Sequence, residues 1–212
     1  MPIYQLTDDI IFPPVDGAED GIVAVGGDLL PERLLLAYKL GIFPWYSEDE
    51  PIIWWSPDPR FVLFPERLHI SKSMRRVINS DVLKVTFNQD FEGVIAACKK
   101  MPREGQQGTW ITDEMELAYI RLHELGHAQS IEVWKENELV GGMYGVDLGS
   151  VFCGESMFST VSNASKLALI TFIKKFKQDG GKLFDCQVHS EHMVTMGAEE
   201  ISRKEYLTFL PD

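Results

Sequence analysis

Cysteine is scarce in this sequence, with three in 212 residues (Cys98, Cys153 and Cys186). No CxxC pair occurs, so neither a disulfide framework nor a cysteine zinc site is expected. No stretch approaches the roughly 18 to 20 consecutive apolar residues that a bilayer-crossing helix needs. The opening MPIYQLTDD lacks the basic start and apolar run of a secretory signal. Internal repeats and low-complexity tracts are absent. These absences exclude membrane-spanning, repeat and disulfide-stapled classes, and a reducing cytoplasm is the expected setting. Basic residues are also short, 20 against 32 acidic ones for a net charge of -12. On its face that argues against a nucleic-acid partner, because phosphate contacts dominate such affinities.

The distribution of charge weakens that objection. Residues 1–50 hold ten carboxylates against Arg33 and Lys39 alone. From Arg60 to Arg76 the sign reverses, with Arg60, Arg67, Lys72, Arg75 and Arg76 facing only Glu66. Lys166, Lys174, Lys175, Lys177 and Lys182 form a second group. Solvated helix faces account for such runs equally well. A composition of 45% hydrophobic and 25% charged residues fits a globular chain with room for one ordinary domain and a small companion.

The first sixty residues are punctuated by Pro13-Pro14, Gly26-Gly27, Pro44, Pro51, Pro57 and Pro59, and one helix is expected over Pro31–Leu40. Trp45, Trp54 and Trp55 fall in a loop-like setting. They either staple a small domain or stack bases and wall a pocket. Beyond Arg60 the pattern alternates between strands and helices: a strand at Phe61–Phe64, a basic helix from Ser71, a strand at Val82–Asn88, and a helix over Asp90–Lys100. Thr112 suits the cap of a helix running to Leu125. A hairpin follows over Ile131–Trp134 and Leu139–Val146, then a strand at Ser150–Phe158. An apolar helix opens at Ser162 or Asn163 and stops at Gly180-Gly181, before a last strand over Lys182–Val188.

His123-Glu124-Leu125-Gly126-His127 matches the HExxH zinc pattern, with His189 or Glu191 as conceivable third ligands. The chemistry needs both imidazoles on one helical face. Gly126 predicts the helix end between them, so a metal site is not expected. Asp185 and Gln187, two apart in LFDCQV, are predicted to share one strand face while Phe184 and Cys186 turn to the core. Glu155 is a second acid within an apolar strand, beside Gly154. A structural polar network explains any one of these residues. Together, with Gly141 and Gly142 nearby, they point to a cleft. Cys153 beside Glu155 raises a thiol nucleophile, but neither His189 nor His192 is placed by the sequence to activate it.

A hairpin, a third strand and a loop into a long helix resemble the core of the GNAT acyltransferases. Their glycine-rich pyrophosphate loop is replaced here by STVSNASK, which cannot form the usual backbone nest, so acetyl-coenzyme A is not expected as donor. The blocks FPP (12–14), AVGGDL (24–29), GIFPWYS (41–47), WWSPDPR (54–60), LHIS (68–71), GTWIT (108–112), RLHELGHAQSIEVW (121–134), LVGGMYGV (139–146), FCGESMFS (152–159), NASK (163–166) and GGKLFDCQV (180–188) resemble the leucyl/phenylalanyl-tRNA–protein transferase family over nearly the whole chain. The C-terminal end is short for that family.

The resemblance implies an α+β protein: a small N-terminal α/β domain (1–60), then a GNAT-like catalytic domain (61–212) with a mixed, mainly antiparallel sheet flanked by helices. It implies transfer of leucine or phenylalanine, with methionine a further candidate, from aminoacyl-tRNA to proteins beginning with Arg or Lys. The product would be an N-degron, and no cofactor is implied. By carry-over, Asp185 and Gln187 orient the amine and help remove its proton, and Glu155 fixes that network and the cationic acceptor. Met143, Phe152, Met157, Phe172 and Phe176 would form the aminoacyl side-chain slot, although a plain core explains Phe172 and Phe176 individually. Trp45 and Trp110 would meet the terminal adenosine, and Arg60 to Arg76 would follow the tRNA backbone. A monomer is the default expectation.

Overall fold

A computed structural model describes residues 3–101 and 110–211. Gly108 and Thr109 of the GTWIT block lie outside the described residues. The N-terminal part carries strands β1 (Tyr4–Leu6), β2 (Ile22–Gly26), β3 (Phe43–Pro44) and β4 (Ile53–Trp55), with helix α1 (Pro31–Lys39) between β2 and β3. They form a four-stranded sheet in the order β1-β2-β4-β3. Trp54 and Trp55 therefore belong to a strand, which corrects the loop expected there. Trp54 is buried, its Nε1–H donating to Gly26 O and its ring edge-on to Phe12. Pro31 opens α1 as expected, and Gly41, at φ +75°, provides the left-handed turn beyond its end.

The larger sheet has seven strands: β5 (Arg60–Leu63), β6 (Lys84–Phe87), β7 (Ala128–Lys135), β8 (Glu138–Asp147), β9 (Val151–Ser159), β10 (Leu183–Gln187) and β11 (Glu199–Ile201). Their order is β11-β5-β10-β9-β8-β7-β6. Every pairing is antiparallel except β9 with β10, where Phe184 lies opposite Phe152 and Asp185 opposite Cys153. That parallel step requires a crossover, supplied by helix α5 (Ala164–Gln178). The hairpin, third strand and long helix anticipated from the sequence are thus present in a mixed, mainly antiparallel sheet.

Helices α2 (Lys72–Ile78), α3 (Phe91–Lys100) and α4 (Asp113–Glu124) each begin on a side-chain cap. Ser71 accepts from Met74 N, Asp90 from Gly93 N and Thr112 from Met115 N. Such caps contribute about 1 kcal/mol each. Short helices α6 (Glu191–Val194) and α7 (Arg203–Leu207) bracket β11 and were not anticipated.

The two faces of the large sheet bury different cores. Helix α5 covers one, packing Leu169, Ile173 and Phe176 with Phe152 and Phe184. The other face merges with the N-terminal part, where Leu34, Tyr38 and Trp54 share one continuous core with Ile95, Tyr119, Val146 and Leu183. The line between the sheets is therefore where buried polar groups from both parts meet.

Candidate active site

A cleft of about 520 Å³ opens between the N-terminal part and the end of the large sheet. Its polar edge carries Glu155, Ser156 and Gln187, and its apolar surface Met143, Met157, Phe184 and Met193. Phe43, Trp45 and Trp110 wall the N-terminal side. Gly154 makes room at the floor: a Cβ built there would stand 2.3 Å from Cζ of the Phe184 ring.

Glu155, on β9, is held from three directions. Tyr38 Oη, from α1, donates to its Oε1 at 2.7 Å. Tyr119 Oη, from α4, donates to its Oε2 at 3.0 Å. Gln187 Nε2 donates to Oε1 at 3.3 Å. Burial is the largest influence on this carboxyl and lifts its pKa to about 7. The tyrosine hydrogen bonds and Arg60 act against burial, and Asp185 adds to it. That brings Glu155 into the range where a carboxyl exchanges protons at neutral pH.

Asp185 sits elsewhere. It has no exposed surface, and Arg60 grips both oxygens, with Nε to Oδ1 at 2.8 Å and Nη2 to Oδ2 at 2.7 Å. Tyr206 Oη donates to Oδ2 at 2.9 Å, and the Gln187 backbone N–H donates to Oδ1 at 2.9 Å. The expected shared face of Asp185 and Gln187 is therefore corrected. The β10 register shifts between them, and Gln187 takes φ +58°, in the left-handed region. That bulge turns Gln187 and the half-buried Cys186 to the cleft and leaves Asp185 behind it. Asp185 touches no part of the cleft and acts on it by fixing the Gln187 backbone.

Arg60 is corrected with it. The guanidinium is 1% exposed, its Nη1 donates to Gly41 O at 3.1 Å, and it lies between the rings of Phe43 and Tyr206 at 4.9 and 4.4 Å. None of it is available to an RNA phosphate. Arg67, Lys72, Arg75 and Arg76 are exposed, Arg67 pairing with Glu199 at the surface.

Of the five residues expected in the side-chain slot, Met143 and Met157 line the cleft. Phe152, Phe172 and Phe176 do not. They stack behind it, with Phe152–Phe172 centroids at 4.2 Å and Phe172–Phe176 at 5.4 Å. Phe184 lies between, lining the cleft and packing on Phe152. Phe184, Ser156 and Met193 were missed as cleft residues. Apolar periodicity identifies a buried face but not which part of it opens to solvent.

The HELGH segment bends as its glycine requires. Helix α4 ends at Glu124, Gly126 has φ +82°, and His127 follows the turn. His123 donates from Nδ1 to Ala128 O at 2.8 Å and stacks on Phe91 at 4.3 Å. Cys153 is fully buried, its thiol pushed well up by burial and by Asp185, and it does not line the cleft. It is not a nucleophile here.

Comparison with known proteins identifies the family. A family model described as leucyl/phenylalanyl-tRNA protein transferase matches residues 62–211, and the model of that family's N-terminal domain matches residues 27–58. A relative from Flavobacterium johnsoniae named leucyl/phenylalanyl-tRNA–protein transferase is 56% identical over 209 residues, covering 98% of this chain and 99% of the relative. This chain belongs to the leucyl/phenylalanyl-tRNA–protein transferase family. Similarly named relatives from Christiangramia forsetii (57% identical, covering 98% of this chain and 100% of the relative) and Escherichia coli O81 (55%, 99% and 90%) span the same length. A GCN5-related N-acetyltransferase from Kribbella flavida aligns at 9% identity with a TM-score of 0.43, over 81% of this chain and 61% of that one. That likeness decides nothing. Membership in the transferase family makes the chain an acyltransferase, and among the described residues no helix is long and apolar enough to cross a membrane.

Proposed function

We propose that this protein moves leucine or phenylalanine from aminoacyl-tRNA to the N-terminal α-amino group of proteins beginning with Arg or Lys, marking them for degradation. The observation that carries the reading is the cleft itself. One opening joins an apolar surface of Met143, Met157 and Phe184 to a polar edge of Glu155 and Gln187. An aminoacyl ester needs the first and an attacking amine the second.

The reaction asks little of a base. An α-amino group with a reference pKa of about 8 is roughly one-tenth uncharged at neutral pH, so deprotonation costs only about 1.4 kcal/mol. Holding the amine against the ester carbonyl contributes more. Gln187 and Glu155 are the orienting pair. Asp185 enters through the Gln187 backbone rather than by touching the amine. The apolar slot discriminates weakly, by about 1–3 kcal/mol per methylene, and its methionines adapt their shape. That accounts for accepting both leucine and phenylalanine.

Trp45 and Trp110 wall one side of the cleft, and stacking of the terminal adenosine on them would place the ester over it. Arg67, Lys72, Arg75 and Arg76 give sequence-independent contacts to the acceptor stem. A division near residue 60, supported by the two sheets and by the separate family models, belongs to the same reading. So do a monomer and a cytoplasmic setting. The test is transfer of label from charged Leu-tRNA to an acceptor whose N-terminus is arginine. An unlabelled acceptor after incubation with folded protein refutes the proposal. Label that appears equally on acceptors beginning with alanine refutes the acceptor preference.

A further inference from the structure

Tyr38, Tyr119 and Glu155 form a closed ring of oxygen contacts. Tyr38 Oη lies 2.7 Å from Glu155 Oε1, Tyr119 Oη lies 3.0 Å from Glu155 Oε2, and the two phenol oxygens are 2.5 Å apart. Each such contact requires one proton between its oxygens, and each phenol supplies one. Two phenols beside an ionised Glu155 supply two protons for three contacts. Either the pair at 2.5 Å or one carboxylate contact would then face lone pair to lone pair. A third proton, carried by Glu155, satisfies every edge. The ring is shaped for the protonated acid, and when that proton leaves one of its three contacts loses its hydrogen bond.

We infer that this ring is the acceptor of the proton shed by the substrate ammonium group, with Glu155 the catalytic residue and Tyr38 and Tyr119 its positioning residues. The inference rests on the amine-acylating reading above. The balance is as follows. The acceptor's ammonium gives one proton to the Glu155 carboxylate. The neutral nitrogen forms a bond to the ester carbon, the carbon–oxygen bond to the tRNA ribose breaks, and a second nitrogen proton ends on the ribose oxygen. The products are an amide, a free ribose hydroxyl and a protonated Glu155, which later returns its proton to water. Access fits this path, since Glu155 and Gln187 line the cleft while both tyrosines are buried behind it.

The surroundings keep the extra proton on Glu155. Burial and the Glu155 charge push both phenols well above their ordinary range, so neither ionises in its place. Glu155 itself is lifted to about 7, where it exchanges a proton readily at neutral pH. The other groups that face the ring are few. Asp185 on β10 and Arg60 on β5 are paired with each other and act in opposite directions. Gln187 on β10 is an uncharged donor. Cys153 on β9 bears on Tyr38 and Tyr144 on β8 bears on Tyr119.

Two measurements decide the matter. Infrared titration of the protein without tRNA is expected to show a protonated carboxyl band that disappears across neutrality in the parent and is missing from Glu155→Gln. A carboxyl already ionised about two pH units below neutrality overturns the ring. In Tyr38→Phe one donor to the carboxylate is lost. The band and the acid limb of turnover are then expected to move together to higher pH, by about one unit, with KM for Leu-tRNA unchanged. A limb that stays fixed while the band moves overturns the catalytic role. Absence of any label transfer by the parent defeats the amine-acylating reading instead, and the infrared titration still tests the ring.

Discussion

Replacing Asp185 with alanine separates a supporting role from a reacting one. The side chain accepts four hydrogen bonds, two from Arg60 at 2.7 and 2.8 Å and one each from Tyr206 Oη and Gln187 N at 2.9 Å. Its removal leaves the Arg60 guanidinium in a site 1% exposed, with Gly41 O as its main remaining acceptor. Breaking one partner of a buried pair costs roughly 3–5 kcal/mol. For a chain of this size each kcal/mol lowers Tm by roughly 2–4 °C, so Asp185→Ala should melt about 6–20 °C lower. Calorimetry on Asp185→Ala, Arg60→Met and the double variant completes a cycle. The double variant is expected to regain much of the loss, because no unpaired charge then stays buried. Below its melting range, Asp185→Ala should lose turnover far more than affinity for tRNA, since Gln187 loses the anchor of its strained backbone. A stability loss under about 1 kcal/mol, the scale of an exposed pair, refutes the reasoning. So does a double variant no better than the sum of the singles.

Glu155→Gln should change how stability depends on pH. The folded carboxyl titrates at about 7 against an ordinary 4.5. The folded state therefore binds more protons than the unfolded state between those values. The contribution is fully present below 4.5 and is lost as pH rises through 7. Thermal melts should show the variant gaining on the parent across that window, and parallel curves would contradict it. Gly154→Ala places a methyl group 2.3 Å from the Phe184 ring. Chemical denaturation should register a loss of about 1–3 kcal/mol, and an unchanged midpoint would show that the floor yields freely. Neutralising Arg75 and Arg76 together should flatten the salt dependence of tRNA binding by roughly one to two units of logarithmic slope. An unchanged slope removes α2 from the RNA path.

What could be read beforehand follows the range over which each signal acts. Thr112 lies within three residues of the N–H group it caps, the helices from Ser71 and Asp90 begin on residues that suit a helix start, and the β7–β8 turn at Glu136 falls between two apolar runs. Such local patterns were visible. The short strands β1, β3 and β4, of two or three residues, carry too little periodicity to register, and their pairing comes from long-range contact. Strand parity put Asp185 and Gln187 on one face, but one left-handed residue reverses parity, and glutamine gives no warning of it. Arg60 and Asp185 are 125 positions apart, and Tyr38 and Glu155 are 117 apart. No local pattern reports such pairs, so Arg60 was read from its basic neighbours as a surface residue. Trp45, Trp110, Glu155 and Gln187, far apart in the chain, line one cleft.

Helix α1 carries both Leu34, in the core shared with the large sheet, and Tyr38, against Glu155. The N-terminal segment is therefore built into the core and the polar network behind the cleft rather than appended to them. A lineage that exchanged this segment for another would have to recover a buried phenol at the same spot, along with the apolar surface beneath it. Insertions and losses should accordingly accumulate elsewhere, at edges that neither core nor cleft depends upon, while these two stretches travel through descent as one inherited unit.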